Sequence, residues 1–211
     1  MSELDKALAD IVDIRSRLAA DTLFRGFGPL VIALTGGLAI GMAFLQSTWP
    51  QAFAGDNETY LLWWTATALV CAGMIGSEMI SRTYREHGGL ADAMLISAIE
   101  NFIPAGLSGA AIGVVILQFA PNASWLLPGI WQVLVALGLF SAARNLPRSI
   151  KLVAGWYLVS GICVLIIAAK YFAQPGDVLS TWLMGFPFAI GQFSMALVLK
   201  LSTAEDSDAE A

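Results

Sequence analysis

Two glutamines inside long apolar stretches are the side chains of this sequence best suited to bind a ligand. Gln132 lies shortly after Pro128, and Gln192 lies shortly after Pro187. A proline removes a backbone hydrogen bond and can kink a helix, and an unpaired amide in hydrocarbon is costly. We therefore expect both amides to face the interior of a helix bundle. There they would bond each other, a neighbouring helix or a neutral ligand.

Aromatic residues close to these prolines could wall a cavity lined by backbone carbonyls. They are Trp131, Trp156, Tyr157 and Phe188. The same rings would serve equally well as ordinary packing or as lipid-facing side chains. The ligand-cavity candidates are therefore Gln132, Gln192, Trp131, Trp156, Pro128 and Pro187, with helix packing as the alternative role for each.

Ionisable side chains that could catalyse a reaction are scarce. No Asp, Glu, Lys, Arg or His lies at the middle of an apolar stretch, and the single histidine, His87, lies between two of them. Coupled ion pumping and intramembrane proteolysis both need such groups within the membrane. One histidine cannot form a bis-histidine haem site or a His-rich metal site. We expect no catalytic residue, no metal and no cofactor, and we expect Cys71 and Cys163 to be buried free thiols.

Charged residues at the ends of the stretches could form a gate. Arg82 follows Glu78 at i+4, the favourable order for a helical ion pair. The alternative to a simple interfacial pair is a network joining neighbouring helices. Its candidate members are Glu78, Arg82, Glu100, Asn101 and Arg144.

The elements that must position these residues are membrane-spanning helices. The 211-residue chain is 57% hydrophobic and 13% charged, with a mean hydropathy of +0.72, whereas soluble domains carry about 25% charged residues. Crossing a bilayer takes roughly 20 apolar residues. The sequence predicts an all-α polytopic membrane protein whose bundle occupies residues 27–200. Its six transmembrane helices are predicted at residues 29–46, 61–80, 102–119, 125–143, 152–172 and 181–199.

Segments flanking the spans have other patterns. Residues 1–26 are predicted to contain an amphipathic interfacial helix, and residues 90–99 a second, shorter one. Residues 201–211 are acidic and rich in small residues, which predicts a disordered tail.

The distribution of basic residues predicts the orientation. Ten of the eleven Lys and Arg residues fall on one side if the N-terminus is cytoplasmic, and only Lys170 falls on the other. The positive-inside rule therefore places both termini in the cytoplasm of a bacterial inner membrane. Trp49, Tyr60, Trp63 and Trp64 are predicted to form an interfacial aromatic belt at the outer side.

A repeated pattern of glycines predicts close helix packing. Residues 35–46, TGGLAIGMAFLQ, match residues 107–118, LSGAAIGVVILQ, at six of twelve positions. Gly37 and Gly41 correspond to Gly109 and Gly113, and small residues four apart let membrane helices approach closely. The echo favours three repeated helical hairpins, although shared composition alone can produce it. These glycines could pack helices within one chain or between chains of a homo-oligomer.

Five segments resemble those of an uncharacterised family of six-span bacterial inner-membrane proteins. They are residues 25–29 (RGFGP), 76–79 (GSEM), 89–94 (GLADAM), 125–132 (WLLPGIWQ) and 184–192 (MGFPFAIGQ). The resemblance covers nearly the whole chain and implies the six-span fold. It implies no activity, since none is known for the family.

Two functions remain open from the sequence. The first is a non-enzymatic bundle that binds or passes a small neutral or lipid-like molecule. The alternative is a membrane scaffold or sensor that recruits a soluble partner through its cytoplasmic amphipathic helices. Besides the lipid bilayer, the expected partners are such a ligand or such a cytoplasmic protein. Nucleic-acid binding has no support, because no basic patch interleaves with aromatic residues.

Overall fold

The computed structural model describes residues 28–87, 91–143, 146–174 and 176–209. The predicted amphipathic helix at residues 1–26 lies outside them. The described residues form six long α-helices and no strand. The helices are α1 (Pro29–Thr48), α2 (Asn57–His87), α3 (Ala91–Phe119), α4 (Leu127–Ala142), α5 (Ile150–Tyr171) and α6 (Trp182–Ala209). Each contributes one segment long and apolar enough to cross a membrane, which for α4 includes the preceding 3₁₀ turn, Pro121–Leu126. The all-α fold with six candidate spans is thus confirmed.

Three helices extend well beyond the predicted spans. The amphipathic segment at residues 90–99 is not a separate helix, because α3 runs without a break from Ala91 through Pro104 to Phe119. Helix α2 continues beyond residue 80 to His87. Helix α6 includes residues 201–209, where we predicted a disordered tail. In each case the helix extends past the apolar stretch, because charged residues beyond the hydrocarbon core are compatible with helical backbone.

Contacts between the helices follow a ring. Each helix packs on its neighbour in sequence, and α6 packs back on α1. The most extensive contacts join α1 to α6 and α4 to α5, whereas α2 and α3 pack loosely. The closest packing therefore lies between the predicted hairpins and not within them.

Two hydrophobic clusters fill the ring. One surrounds Tyr157, and the other surrounds Trp64 and Leu127. Phe188 of α6 packs against both. Its aromatic ring therefore lies at the junction of the two halves of the core.

Candidate functional site

A side chain from α4 replaces the hydrogen bond that a proline removes from α6. Pro187 has no N–H, so the carbonyl of Leu183, four residues earlier, has no helical donor. Gln132 Nε2 donates to Leu183 O at 3.0 Å, and Gln132 is fully buried. The amide of Gln132 thus joins α4 to α6 as an interhelical hydrogen bond, one of the alternatives that the sequence left open.

Two aromatic residues of α5 donate to the same part of α6. Trp156 Nε1 donates to Pro187 O at 3.0 Å, and Tyr157 Oη donates to Phe188 O at 3.4 Å. Together with Gln132, these side chains hold the proline-containing turn from two neighbouring helices. Trp156 and Pro187 therefore lie in a packed contact.

Pro128 does not kink α4. It lies at the start of the helix, directly after the 3₁₀ turn, and is buried. A proline in the first turn removes an N–H that would have no intrahelical partner in any case. The kink that we predicted in the fourth span is wrong, because the helix begins later than expected.

Only one pair of the repeated glycines packs against another helix. An added Cβ at Gly109 would lie 3.5 Å from Trp131 Cδ1, and one at Gly113 would lie 3.6 Å from Trp131 Cζ2. Trp131 Nε1 also donates to Gly109 O at 3.1 Å. Gly37 and Gly41 are exposed, with no described atom within 4 Å of an added Cβ.

Helix α1 instead packs on α6 through small residues on a different face of the helix. These are Gly36, Ala39 and Ala43, which are all buried. An added Cβ at Gly36 would lie 3.2 Å from Gln192 Cβ. The echoed sequences therefore differ in packing, and their final residues differ as well, because Gln46 is buried and Gln118 is exposed.

The described residues include only some members of the predicted charged network. A Cβ added at Gly28 would lie 2.9 Å from Glu78 Oε1, so this carboxylate packs against the start of α1. Glu100 is exposed. Arg144, the side chain of Asn101, and the side chains of residues 91–99 lie outside the described part, as does most of the proposed scaffold surface.

Buried polar atoms without partners lie around Phe188. The ring of Trp64 stacks on Phe188 with centroids 6.5 Å apart, and Tyr157 packs on it at 5.5 Å. Gln192 lies one helical turn after Phe188 and beside the Tyr157 hydroxyl. Trp64 Nε1 lies beside the hydroxyl of Tyr60. Both Trp64 Nε1 and Gln192 Oε1 are buried without a hydrogen bond of standard geometry among the described residues. We call Trp64, Tyr157, Phe188 and Gln192 the Phe188 cluster.

Three members of this cluster were predicted from the sequence, and Trp64 was not. Gln192, Tyr157 and Phe188 were candidates, but Trp64 was assigned to the interfacial belt. Trp64 is only 3% exposed, and its position on a spacing shared with Tyr60 and Leu61 could have indicated an inward face. Cys71, two turns further along α2, lies near Tyr157 and is half-buried. Cys163 is exposed, so the prediction that it is buried is wrong.

Three connections at the opposite end of the bundle from Glu78 line an open pocket of about 440 Å³. Asn57 holds them together. Its Nδ2 donates to Asp177 O at 3.1 Å and to Ser124 Oγ at 3.4 Å, and its Oδ1 accepts from Leu179 N at 2.9 Å.

Asp56 caps α2, since its Oδ1 accepts from Thr59 N at 2.6 Å. This backbone hydrogen bond lowers the pKa of Asp56 below its ordinary value.

The fold and its apolar helices define a polytopic α-helical integral membrane protein. No protein-family model, curated protein or solved structure matches the chain. The described residues contain no group of three or more His, Cys, Asp or Glu side chains that could hold a metal ion.

Proposed function

We propose that the protein binds a small neutral or lipid-like molecule at the Phe188 cluster, or passes it across the bilayer there, without catalysing a reaction. The supporting observation is the pair of unpartnered atoms on two helices, Trp64 Nε1 on α2 and Gln192 Oε1 on α6. A buried polar atom without a hydrogen bond costs about 1–3 kcal/mol. Two such atoms beside one aromatic ring favour a bound molecule that pairs with them.

The chemistry of the two atoms indicates what the ligand must carry. The indole N–H can only donate, and the amide oxygen can only accept. A matching ligand therefore has both an acceptor and a donor, as an alcohol or an amide has. The rings of Phe188 and Tyr157 would contact its apolar part. The ligand would be uncharged, because the spans carry no Asp, Glu, Lys, Arg or His at mid-depth.

Loose packing of α2 offers a route to this cluster. Helix α2 has the second lowest buried fraction of the six candidate spans, at 17%, and only α3, at 11%, has a lower one. These two helices are neighbours in the ring. A lipid-like molecule could enter between them from the bilayer with little disruption of the closely packed α4–α5 and α1–α6 contacts.

A fatty alcohol bearing a terminal diazirine tests the proposal. The full-length protein in nanodiscs would be photolabelled and its labelled peptides mapped by mass spectrometry. We expect saturable labelling of α2 and α6 that unlabelled fatty alcohol displaces. The Trp64→Phe variant keeps an aromatic ring and loses the N–H, and Gln192→Leu keeps the approximate volume. Both should reduce labelling at least several-fold.

The exposed glutamine of α3 provides the matched control. Gln118→Leu makes the same chemical change outside the cluster and should leave labelling unchanged. Labelling that is non-saturable, or equal in all variants, would show that ordered water satisfies the two atoms and that the cluster binds no ligand.

We also propose a location in the cell for this protein. The clustering of Lys and Arg at one end favours the cytoplasmic membrane of a bacterium, with the N- and C-termini inside. The pocket bounded by Asn57 would then face outward.

A further inference from the structure

The pocket at the end of the bundle that carries Asp56 is distinct from the Phe188 cluster. Its wall is formed by residues 55–58, by residues 121, 122, 124 and 125, and by residues 172, 174 and 176–178, so all three connections at this end meet there. A volume of about 440 Å³ lies within the usual range of small-molecule sites, about 300–1,000 Å³. The pocket is thus large enough to hold a ligand of several heavy atoms.

Negative charge dominates the lining. Asp56, Glu58 and Asp177 line the pocket, and no Lys or Arg is among its described lining residues. Backbone N–H groups fix two of the carboxylates, through Thr59 N on Asp56 and Gln174 N on Asp177 at 3.0 Å. These bonds orient the carboxylates without neutralising them, and the lowered pKa of Asp56 keeps its carboxyl ionised at neutral pH. The concave shape concentrates the resulting field.

Aromatic rings complete the wall. Trp125 and Phe172 line the same pocket and are half-buried. The electron-rich faces of such rings attract organic cations. Carboxylates together with aromatic faces suit an ammonium group better than a compact metal ion.

A buried hydroxyl at the pocket provides an independent indication of a ligand. Ser124 is only 4% exposed and lines the pocket. Its Oγ accepts a long bond of 3.4 Å from Asn57 Nδ2, but within the described residues the hydroxyl hydrogen has no acceptor. A buried donor without an acceptor is unfavourable. An oxygen on a bound molecule would accept this hydrogen.

We propose that this pocket binds an organic ammonium that also carries an oxygen acceptor, as an amino alcohol or the headgroup of an ethanolamine or choline lipid does. The ammonium contacts the carboxylates of Glu58 and Asp177 and the face of Trp125. The oxygen accepts the hydrogen bond from Ser124. The proposal does not depend on what the Phe188 cluster binds.

Titration calorimetry with the full-length protein tests the proposal. The protein is placed in nanodiscs of phosphatidylglycerol, and free ethanolamine and choline are the probes. We expect saturable binding of both, and none of glycerol, which has oxygens but no charge. Raising the salt concentration should weaken binding, because the charges are partly exposed. Absence of ammonium binding in these nanodiscs would overturn the proposal.

Conservative variants identify the binding groups. Glu58→Gln combined with Asp177→Asn keeps both shapes, including the Asp177 hydrogen bond, and should weaken ethanolamine binding about tenfold, since each exposed charge contributes a few-fold. Ser124→Ala should reduce the preference for ethanolamine over methylamine, which lacks the oxygen. Glu100→Gln, at the other end of the bundle, is the control and should change nothing. Equal affinity in the double variant and the wild type would also overturn the proposal.

The lipid composition separates the two sources of the ligand. If a lipid headgroup fills the pocket, nanodiscs of phosphatidylethanolamine should abolish the binding of free ethanolamine that is seen in phosphatidylglycerol. If the ligand is a free amine, binding should be the same in both. Either result supports an ammonium site.

Discussion

Gln132 donates its side-chain amide to the carbonyl of Leu183 at 3.0 Å, so that a residue of α4 completes the backbone hydrogen bonding of α6. The carbonyl needs this donor because Pro187, four residues later, has no N–H. An amide and a proline far apart in the sequence thus form a single structural unit.

Replacing Gln132 by Leu should destabilise the protein by about 1–2 kcal/mol, because the Leu183 carbonyl is then buried without a donor. In a Pro187→Ala background the cost should fall, since the backbone of the substituted alanine supplies the missing N–H. Reversible unfolding of the four proteins in mixed micelles measures this coupling. Gln118→Leu is the exposed control. An equal cost of Gln132→Leu in both backgrounds would contradict the proposed link.

Replacing Gly191 by Ala should destabilise the bundle by about 1–3 kcal/mol or more, because the new methyl group overlaps the ring of Tyr157. Gly37→Ala and Gly41→Ala meet open space and should leave stability unchanged or raise it by up to about 1 kcal/mol. Thermal unfolding in detergent compares the three variants. A loss of stability in Gly37→Ala or Gly41→Ala, accompanied by a change in oligomeric mass, would show that this face packs against a second chain.

Replacing Asp56 by Ala should lower stability by about 1 kcal/mol through the loss of the N-cap of α2. The folded pKa of Asp56 is lowered, so its contribution is present above the pKa of an unfolded Asp, about 3.9, and is lost as the pH falls through the folded value. Melting temperatures between pH 6 and pH 3 should therefore converge for wild type and variant. Asp56→Asn keeps the acceptor without the titration and should have a flatter profile than the wild type. A difference between wild type and Asp56→Ala that grows on acidification would contradict the sign of the shift.

Single cysteines at positions 51 and 85 should lie on opposite sides of the membrane. Both residues are exposed, one before α2 and one near its end. In a background with Cys71 and Cys163 replaced by Ser, an impermeant maleimide should label Arg85→Cys only in inverted vesicles and Gln51→Cys only in right-side-out ones. Labelling of both sites from one side would refute the six-span topology, and the reverse pattern would refute the orientation alone.

The apolar pattern of the sequence was enough to predict the helical class and the approximate spans. It did not predict which glycines meet another helix. Gly37 and Gly109 occupy equivalent positions in similar sequences, yet only Gly109 contacts a partner, because Trp131 of α4 lies against it and no described residue lies against Gly37. Pro128 and Pro187 likewise look alike in sequence but differ in their distance from a helix start.

In the candidate site, too, the sequence predicted which residues are buried but not which partners they have. Gln132 and Gln192 were equivalent as buried amides within apolar stretches. The structure separates them, because the amide nitrogen of Gln132 donates to the carbonyl of Leu183, whereas Gln192 lies beside the hydroxyl of Tyr157. The amide oxygen of each has no hydrogen-bond partner among the described residues. The position of Trp64 near a span end did not assign it to the core, since interfacial and buried tryptophans share that position, and only its helical spacing from Tyr60 and Leu61 indicated an inward face.

The sequence by itself determined that six apolar segments form helices, because a chain in hydrocarbon must satisfy its own backbone hydrogen bonds and needs a fixed length to cross. The tertiary structure alone decided which face of each helix meets another. That choice depends on contacts between residues far apart in the chain, such as Gln132 with Leu183 and Trp64 with Phe188. The spacing within any one helix carries no information about its partner.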